Sequence, residues 1–182
     1  MRFLIVSGGE ATDEFVENVI KRGGYDVILA ADSGMDFLYR TKILPDIIVG
    51  DFDSVDPEVL EFFREHEEID ICALNPVKDD TDTEFAIRES IRRGATEITI
   101  IGGTGTRLDH VLGNISLLGI GLEEDVRMEL LDANNRIRMT DHSVVLKKKQ
   151  QYGKYLSLLP YSEKVTGVTL KGVKYPLDNY TM

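Results

Sequence analysis

The stretch Ile47-Ile48-Val49-Gly50-Asp51-Phe52-Asp53-Ser54 limits the fold more than any other part of the chain. A short, unrelieved run of β-branched residues reads as a strand buried on both faces, and that kind of strand belongs to a parallel sheet covered by helices. Gly50 then lets the chain turn, and Asp51 and Asp53, two residues apart in extended backbone, are expected on the same side. Open α/β sheets bind ligands at this carboxyl end of their strands. Paired carboxylates there suit Mg²⁺, which takes few protein oxygens and fills its other positions with water and phosphate. Turn capping by the two aspartates is the simpler alternative, and the pattern alone does not choose between them.

The same cadence recurs along the chain. Residues 3–6 form an apolar run ending in Ser7-Gly8-Gly9, followed by Phe15, Val16, Val19 and Ile20 at helical spacing with Thr12 as N-cap. Gly8 and Gly9 let backbone approach a ligand closely, although tight turns also use glycine for packing. Residues 27–31 are a second strand, ending in Asp32-Ser33-Gly34 before a short helix through Phe37 and Leu38. Asp32 is thus another acid at a strand end, with N-capping as its structural alternative. Asp56-Pro57-Glu58 opens the next helix, whose buried face is Val59, Leu60, Phe62 and Phe63. Residues 69–74 return as a strand.

Two further stretches carry chemistry. In Lys78-Asp79-Asp80-Thr81-Asp82-Thr83-Glu84, Thr81 and Glu84 have capping-box spacing and start a helix. Capping leaves the crowding of Asp79, Asp80 and Asp82 beside Lys78 unexplained, because such carboxylates repel unless a cation shares the site. After a strand at 97–101 comes Gly102-Gly103-Thr104-Gly105-Thr106-Arg107, the richest glycine turn in the chain, leading into a helix with Leu108, Val111, Leu112, Ile115 and Leu118 in phase. Backbone N–H groups of such a turn form an anion site, and Arg107 supplies a forked donor for phosphate. It lacks the Gly-Lys-Ser/Thr ending of a Walker A loop and the third glycine of the dinucleotide fingerprint. Asp109 in the first helical turn has helix-dipole complementation as its plain alternative, and His110 reads most simply as a partly buried helix residue.

Beyond the strand at 126–131 the helical period disappears. Short strands at 137–139, 144–148, 155–159, 165–170 and 173–175 predict an antiparallel β domain, with the boundary near Asn134. The expected organisation is an α/β catalytic, ATP- and Mg²⁺-binding domain over residues 1–134 and a β domain over 135–182.

Charge narrows the partners. With 32 acidic against 21 basic side chains and a net charge of −11, the chain lacks the basic surface that a nucleic acid needs. It favours cationic small molecules, and it binds a polyphosphate where metal and a local Arg or Lys neutralise the charge. The single cysteine, Cys72, permits no intrachain disulfide, and no signal-peptide pattern opens the chain, so a cytoplasmic location is expected. No run approaches the ~20 apolar residues that a membrane span requires. His66 and His142 have no partner at metal-ligand spacing.

Acids at four strand ends, Asp32, Asp51 with Asp53, Asp79 with Asp82, and Asp109, fall on one rim if all crossovers are right-handed. That predicts Mg²⁺ bound to a polyphosphate cradled by the glycine turn, a phosphoryl- or pyrophosphoryl-transfer site.

The motifs Ala31-Asp32-Ser33-Gly34, Gly50-Asp51-Phe52-Asp53-Ser54, Lys78-Asp79-Asp80-Thr81-Asp82, Gly102-Gly103-Thr104-Gly105-Thr106-Arg107-Leu108-Asp109-His110 and Tyr155-Leu156-Ser157-Leu158-Leu159-Pro160 resemble those of the thiamine pyrophosphokinases, in the same order. The resemblance implies transfer of a pyrophosphoryl group from ATP to the hydroxyl of thiamine, giving thiamine diphosphate and AMP. It implies a Rossmann-like parallel-sheet domain followed by a C-terminal antiparallel β-sandwich, and a homodimer with thiamine between subunits. It further implies catalytic roles for Asp51, Asp53, Asp79, Asp82, Arg107 and Asp109, with Mg²⁺ on Asp51, Asp53, Asp79 and Asp82. ATP contacts are implied at Gly8, Gly9, Asp32, Lys78, Thr81, Gly102, Gly103, Thr104, Gly105 and Arg107, and thiamine contacts at Asp109, His110 and Ser157. The family continues past Tyr175-Pro176-Leu177 into further strands, so the sandwich is expected to be incomplete at Met182. The alternatives are pyrophosphoryl transfer to another alcohol, such as a hydroxymethylpterin, and a non-catalytic nucleotide sensor. No general base is assigned; a metal-bound alkoxide or one of the aspartates would serve.

Overall fold

Side chains that alternate between two cores set the architecture. The computed structural model describes residues 1–53, 55–74 and 81–182, so Ser54, Lys78 and Asp79 lie outside the described residues. In β1 (Arg2–Val6), Phe3 and Ile5 enter one core while Leu4 and Val6 enter the other, as period-two alternation requires of a strand covered on both faces. The same alternation runs through β2 (Val27–Ala31) and β3 (Ile47–Gly50), where Ile47 and Val49 face one way and Ile48 the other.

With β4 (Asp70–Ala73), β5 (Glu97–Ile101), β6 (Arg127–Leu131) and β7 (Arg136–Ile137), these strands make a seven-stranded sheet in the order β4-β3-β2-β1-β5-β6-β7. All pairs are parallel except β6 with β7. The helices α1 (Asp13–Gly23), α2 (Gly34–Thr41) and α3 (Pro57–Arg64) accompany the steps from β1 outward to β4 and contribute Val16, Met35, Leu38, Val59 and Phe63 to one core. The chain then returns to the far side of β1, so α4 (Asp82–Arg92) and α5 (Leu108–Glu123) lie on the opposite face, with Ala86, Ile87, Leu118 and Ile120 in the other core. Right-handed crossovers require this change of face when the direction of progression reverses. The reversal lies between β1 and β5, which makes their carboxyl ends the switch point of the sheet.

Local signals start three of the helices where the sequence places them. Thr12 accepts from the Phe15 N–H at 3.2 Å, Asp56 from Glu58 at 2.9 Å, and Thr81 from Glu84 at 3.1 Å. The second half of the Thr81 capping box does not form, because Glu84 turns its carboxylate to Arg88 at 2.7 Å.

The carboxyl-terminal part departs further from expectation. Contacts divide the chain into Met1–Tyr152 and Gly153–Met182. Residues 136–137 pair with β6 and so extend the large sheet, and Tyr152 donates its hydroxyl to the Asp132 carbonyl. Strands expected at 144–148, 155–159 and 173–175 are absent, since a strand exists only through a ladder and these segments find no partner among the described residues; Lys148–Gln150 is a 3₁₀ turn instead. In the second unit β8 (Val168–Leu170) and β9 (Leu177–Tyr180) pair antiparallel with a bulge, and Val165 and Met182 exchange backbone hydrogen bonds. No helix among the described residues is long and apolar enough to cross a membrane.

Candidate active site

Because six strands run parallel, every loop that follows one of them opens on the same rim. Two different constructions meet there. At the switch point, the turn after β1 is sewn to the turn after β5: Gly9 N–H donates to Gly102 O at 2.7 Å and Glu10 N–H to Thr104 O at 2.8 Å. A Cβ on Gly9 would lie 2.3 Å from Gly102 O, and one on Gly102, whose φ is +67°, would lie 2.0 Å from Ser7 O. Both glycines are therefore demanded by the approach of two backbones. Gly8 packs against Ser33 at the end of β2. The Gly9 N–H is committed to this seam through Gly102 O.

Asn114 of α5 donates its side-chain amide to Gly103 O at 2.8 Å. Asp132, at the end of β6, accepts from the Asn134 and Asn135 N–H groups at 2.7 Å each. Burial alone would raise its carboxyl, but these bonds and one from the Thr104 hydroxyl outweigh burial and hold it below the ordinary 3.8. Ser7, buried at the end of β1, shares a hydrogen bond of 3.1 Å with Thr83 in the first turn of α4.

The second construction is acidic. Asp32 follows β2 with φ +48° and is not the N-cap of α2; Ser33 occupies that position. Phe52 lies between Asp51 and Asp53 with φ +61°, a conformation rare for an aromatic residue. The two aspartates therefore do not sit in extended backbone. The chain doubles back so that the Asp53 N–H reaches Asp51 Oδ1 at 3.3 Å, while the Phe52 ring packs into the core shared with α1, α2 and α3. Proximity survives by a different route: the carboxyls of Asp51 and Asp53 share a hydrogen bond, and that bond with the Asp51 charge pushes Asp53 up, helped by Asp32 and Asp82. Four of the expected acids are thus electrostatic neighbours. Among the described residues, no three Asp, Glu, His or Cys side chains converge as a ready metal cage. The donor set still fits a hard cation, being entirely carboxylate oxygen and burdened by mutual repulsion that a divalent ion offsets.

Arg107 faces Asp109 in a fork, Nη2 to Oδ2 at 2.6 Å and Nε to Oδ1 at 3.2 Å. The guanidinium holds the Asp109 carboxyl down at about 2, and the His110 N–H adds to this. His110 is exposed, contrary to the half-buried expectation, because the first turns of α5 stand clear of the core; Leu108 and Leu112 are 73% and 64% exposed there. Ser157 is an exposed residue of the second unit. Lys78 and Asp79 lie outside the described residues.

Residues 22–130 match the family described as thiamin pyrophosphokinase, catalytic domain, and residues 141–182 match its vitamin B1 binding domain. The chain belongs to the thiamin pyrophosphokinase family. The thiamine pyrophosphokinase of Bacillus subtilis is 35% identical over 154 residues, which cover 83% of this chain and 70% of that protein. A rice relative, thiamine pyrophosphokinase 1, is 28% identical over 79% of this chain but only 56% of its own length. Among solved structures, the Bacillus subtilis thiamine pyrophosphokinase superposes with a TM-score of 0.84 at 28% identity, covering all of this chain and 84% of that one. The Geobacillus thermodenitrificans thiamin pyrophosphokinase gives 0.80 at 30% identity, with 100% and 83% covered.

Family membership gives the rim residues their setting, and three of them were not singled out in the sequence. Asn114 falls three residues after Val111 and four before Leu118, so it is a polar residue on the apolar stripe of α5, which is a legible signal. Asp132 was one more acid at a strand end, and Ser7 the first polar residue after a buried run.

Proposed function

We propose that this chain transfers the pyrophosphoryl group of ATP to the hydroxyl of thiamine, producing thiamine diphosphate and AMP. The observation that carries the reading is the pairing, on one rim of the sheet, of a crowded set of carboxylates with a glycine turn fixed at the switch point. The hydroxyl oxygen gives up its proton to solvent and forms a bond to the β-phosphorus, the bond from that phosphorus to the α–β bridging oxygen breaks, and AMP departs with that oxygen. Asp51, Asp53 and Asp82, with Asp79, would hold Mg²⁺, which when bound supplies charge neutralisation for the transferring phosphates. The turn Gly102-Gly103-Thr104-Gly105 offers backbone N–H groups to the polyphosphate, and Arg107 exchanges Asp109 for a phosphate oxygen. Thr81 keeps α4, and with it Asp82, at the rim by its cap. Asp32, in its left-handed turn after β2, adds a further negative charge at the nucleotide site.

In this reading residues 1–134 bind ATP and offer Asp109 and His110 to thiamine, and residues 135–182, Ser157 among them, are a thiamine-binding region. A homodimer is part of the same proposal, supported by the exposed apolar pair Leu108 and Leu112 on α5. The single cysteine supports a cytoplasmic location.

Incubating the protein with Mg·ATP and thiamine should release AMP in a one-to-one ratio with thiamine diphosphate. Release of ADP instead would mean attack on the γ-phosphorus and would overturn the assignment.

A further inference from the structure

The carbonyls of Gly102, Gly103 and Thr104 are each held by a donor, but the donors differ in kind. Gly102 and Thr104 are held by backbone, through Gly9 and Glu10, and no substitution other than proline removes those donors. Gly103 alone is held by a side chain, the Asn114 amide at 2.8 Å. A carbonyl only accepts, so the group facing it must be the amide nitrogen. A peptide bond is planar and trans, so the Gly103 carbonyl and the Thr104 N–H point in opposite directions from one plane. With the carbonyl turned to α5, the Thr104 N–H is turned away from that helix. Among the described residues it donates to no backbone or side-chain oxygen. Gly103 is itself buried, and a Cβ there would lie 2.5 Å from Leu130, so packing fixes the peptide's place while Asn114 fixes its rotation.

We infer that Asn114 is a positioning residue for the nucleotide's polyphosphate: it sets the plane of the 103–104 peptide so that the Thr104 N–H donates to a phosphate oxygen. The inference deepens the proposed function and rests on the glycine turn being its phosphate cradle. Asn114 touches no substrate, and its effect passes entirely through one peptide. A purely structural asparagine would instead satisfy a buried carbonyl, and its loss would lower stability without discriminating between ligands.

The test compares the intact chain with Asn114→Leu, which removes the donor, and Asn114→Asp, which places an acceptor against the carbonyl. Calorimetric titrations with ADP in Mg²⁺ and with adenosine, melting temperatures, and KM for ATP and for thiamine are measured on each. ADP binding should weaken by about tenfold in both variants and KM for ATP rise to match, the scale of one charge-assisted hydrogen bond. Adenosine binding and KM for thiamine should stay within about twofold, since neither depends on that bond. Equal weakening of ADP and adenosine, or an unchanged ADP affinity in a folded variant, overturns the inference. If Asn114→Leu does not fold, Asn114→Asp decides; if neither folds, Asn114 is structural and the inference falls. Failure of the proposed activity is distinguishable, because an unaltered protein that makes no AMP from thiamine can still show the ADP-against-adenosine contrast. An unaltered protein that does not bind ADP overturns the inference together with the phosphate cradle.

Discussion

The glycine seam between β1 and β5 and the acidic edge beyond β2 and β3 share one rim and are built on opposite terms. In the seam the carbonyls of Gly102, Gly103 and Thr104 have donors from Gly9, Asn114 and Glu10. At the edge Asp51 and Asp53 have chiefly each other, with Asp32 and Asp82 adding repulsion. A seam satisfied from within is a preformed surface. An edge whose charges oppose one another is stabilised by what it binds, and residues at Asp32 and Phe52 hold left-handed backbone there at a cost of about 1–3 kcal/mol each. Shape at this rim therefore comes from the seam, and uncompensated negative charge comes from the edge.

The largest effect expected from breaking this contrast is at Asp53. Asp53→Asn keeps shape and removes one charge, so without Mg²⁺ the melting temperature at neutral pH should stay or rise. Turnover to AMP with Mg·ATP should fall by at least about a hundredfold, equivalent to ~3 kcal/mol of transition-state stabilisation. A destabilised but fully active variant would make Asp53 a turn cap and erase the distinction between edge and seam.

Gly102→Ala attacks the other side. Its φ of +67° disfavours any Cβ, and that Cβ would sit 2.0 Å from Ser7 O, so unfolding free energy should fall by at least about 2 kcal/mol. Denaturant titration checks this. A variant of unchanged stability would mean that the seam yields easily and is not preformed.

What the sequence made legible follows the same division. The strands, the helix caps at Thr12, Asp56 and Thr81, and the rim location of the acids rest on period and local hydrogen bonding, which short stretches carry in full. The Asp51–Asp53 geometry was misjudged because it depends on the left-handed backbone of Phe52, which no aromatic residue advertises. The seam's internal hydrogen bonds join turns far apart in sequence, so nothing in the residues around Gly9 shows that its N–H is held by Gly102. The expected strands at 144–148 and 155–159 had β-like composition, but pairing is a property of the partner as much as of the segment.

Arg107 directly follows the glycine turn and is paired with an acid, Asp109. Arg107→Lys keeps the charge and loses the planar fork, so KM for ATP should rise by about tenfold if the fork engages phosphate. Near-normal kinetics would confine Arg107 to its pair with Asp109.

The smallest effect is spectroscopic and distinguishes a resting pair from a working one. Arg107 holds Asp109 at about 2 in the unliganded chain, against an ordinary value of 3.8. A depressed carboxyl contributes its stabilisation above the unfolded value and loses it as pH falls through the folded one, so the pair weakens between about 4 and 2. Both side chains are mostly exposed, so the stability change itself will be slight. The carboxyl carbon of Asp109 reports the pair directly. Followed by NMR through an acid titration, it should titrate near 2 in the free protein, below Asp53, which its neighbours push the other way. Added ADP should draw Arg107 onto phosphate and return Asp109 toward 3.8. If Asp109 keeps its low value with ADP bound, the fork never leaves it, and the phosphate is held by the seam and the cation alone.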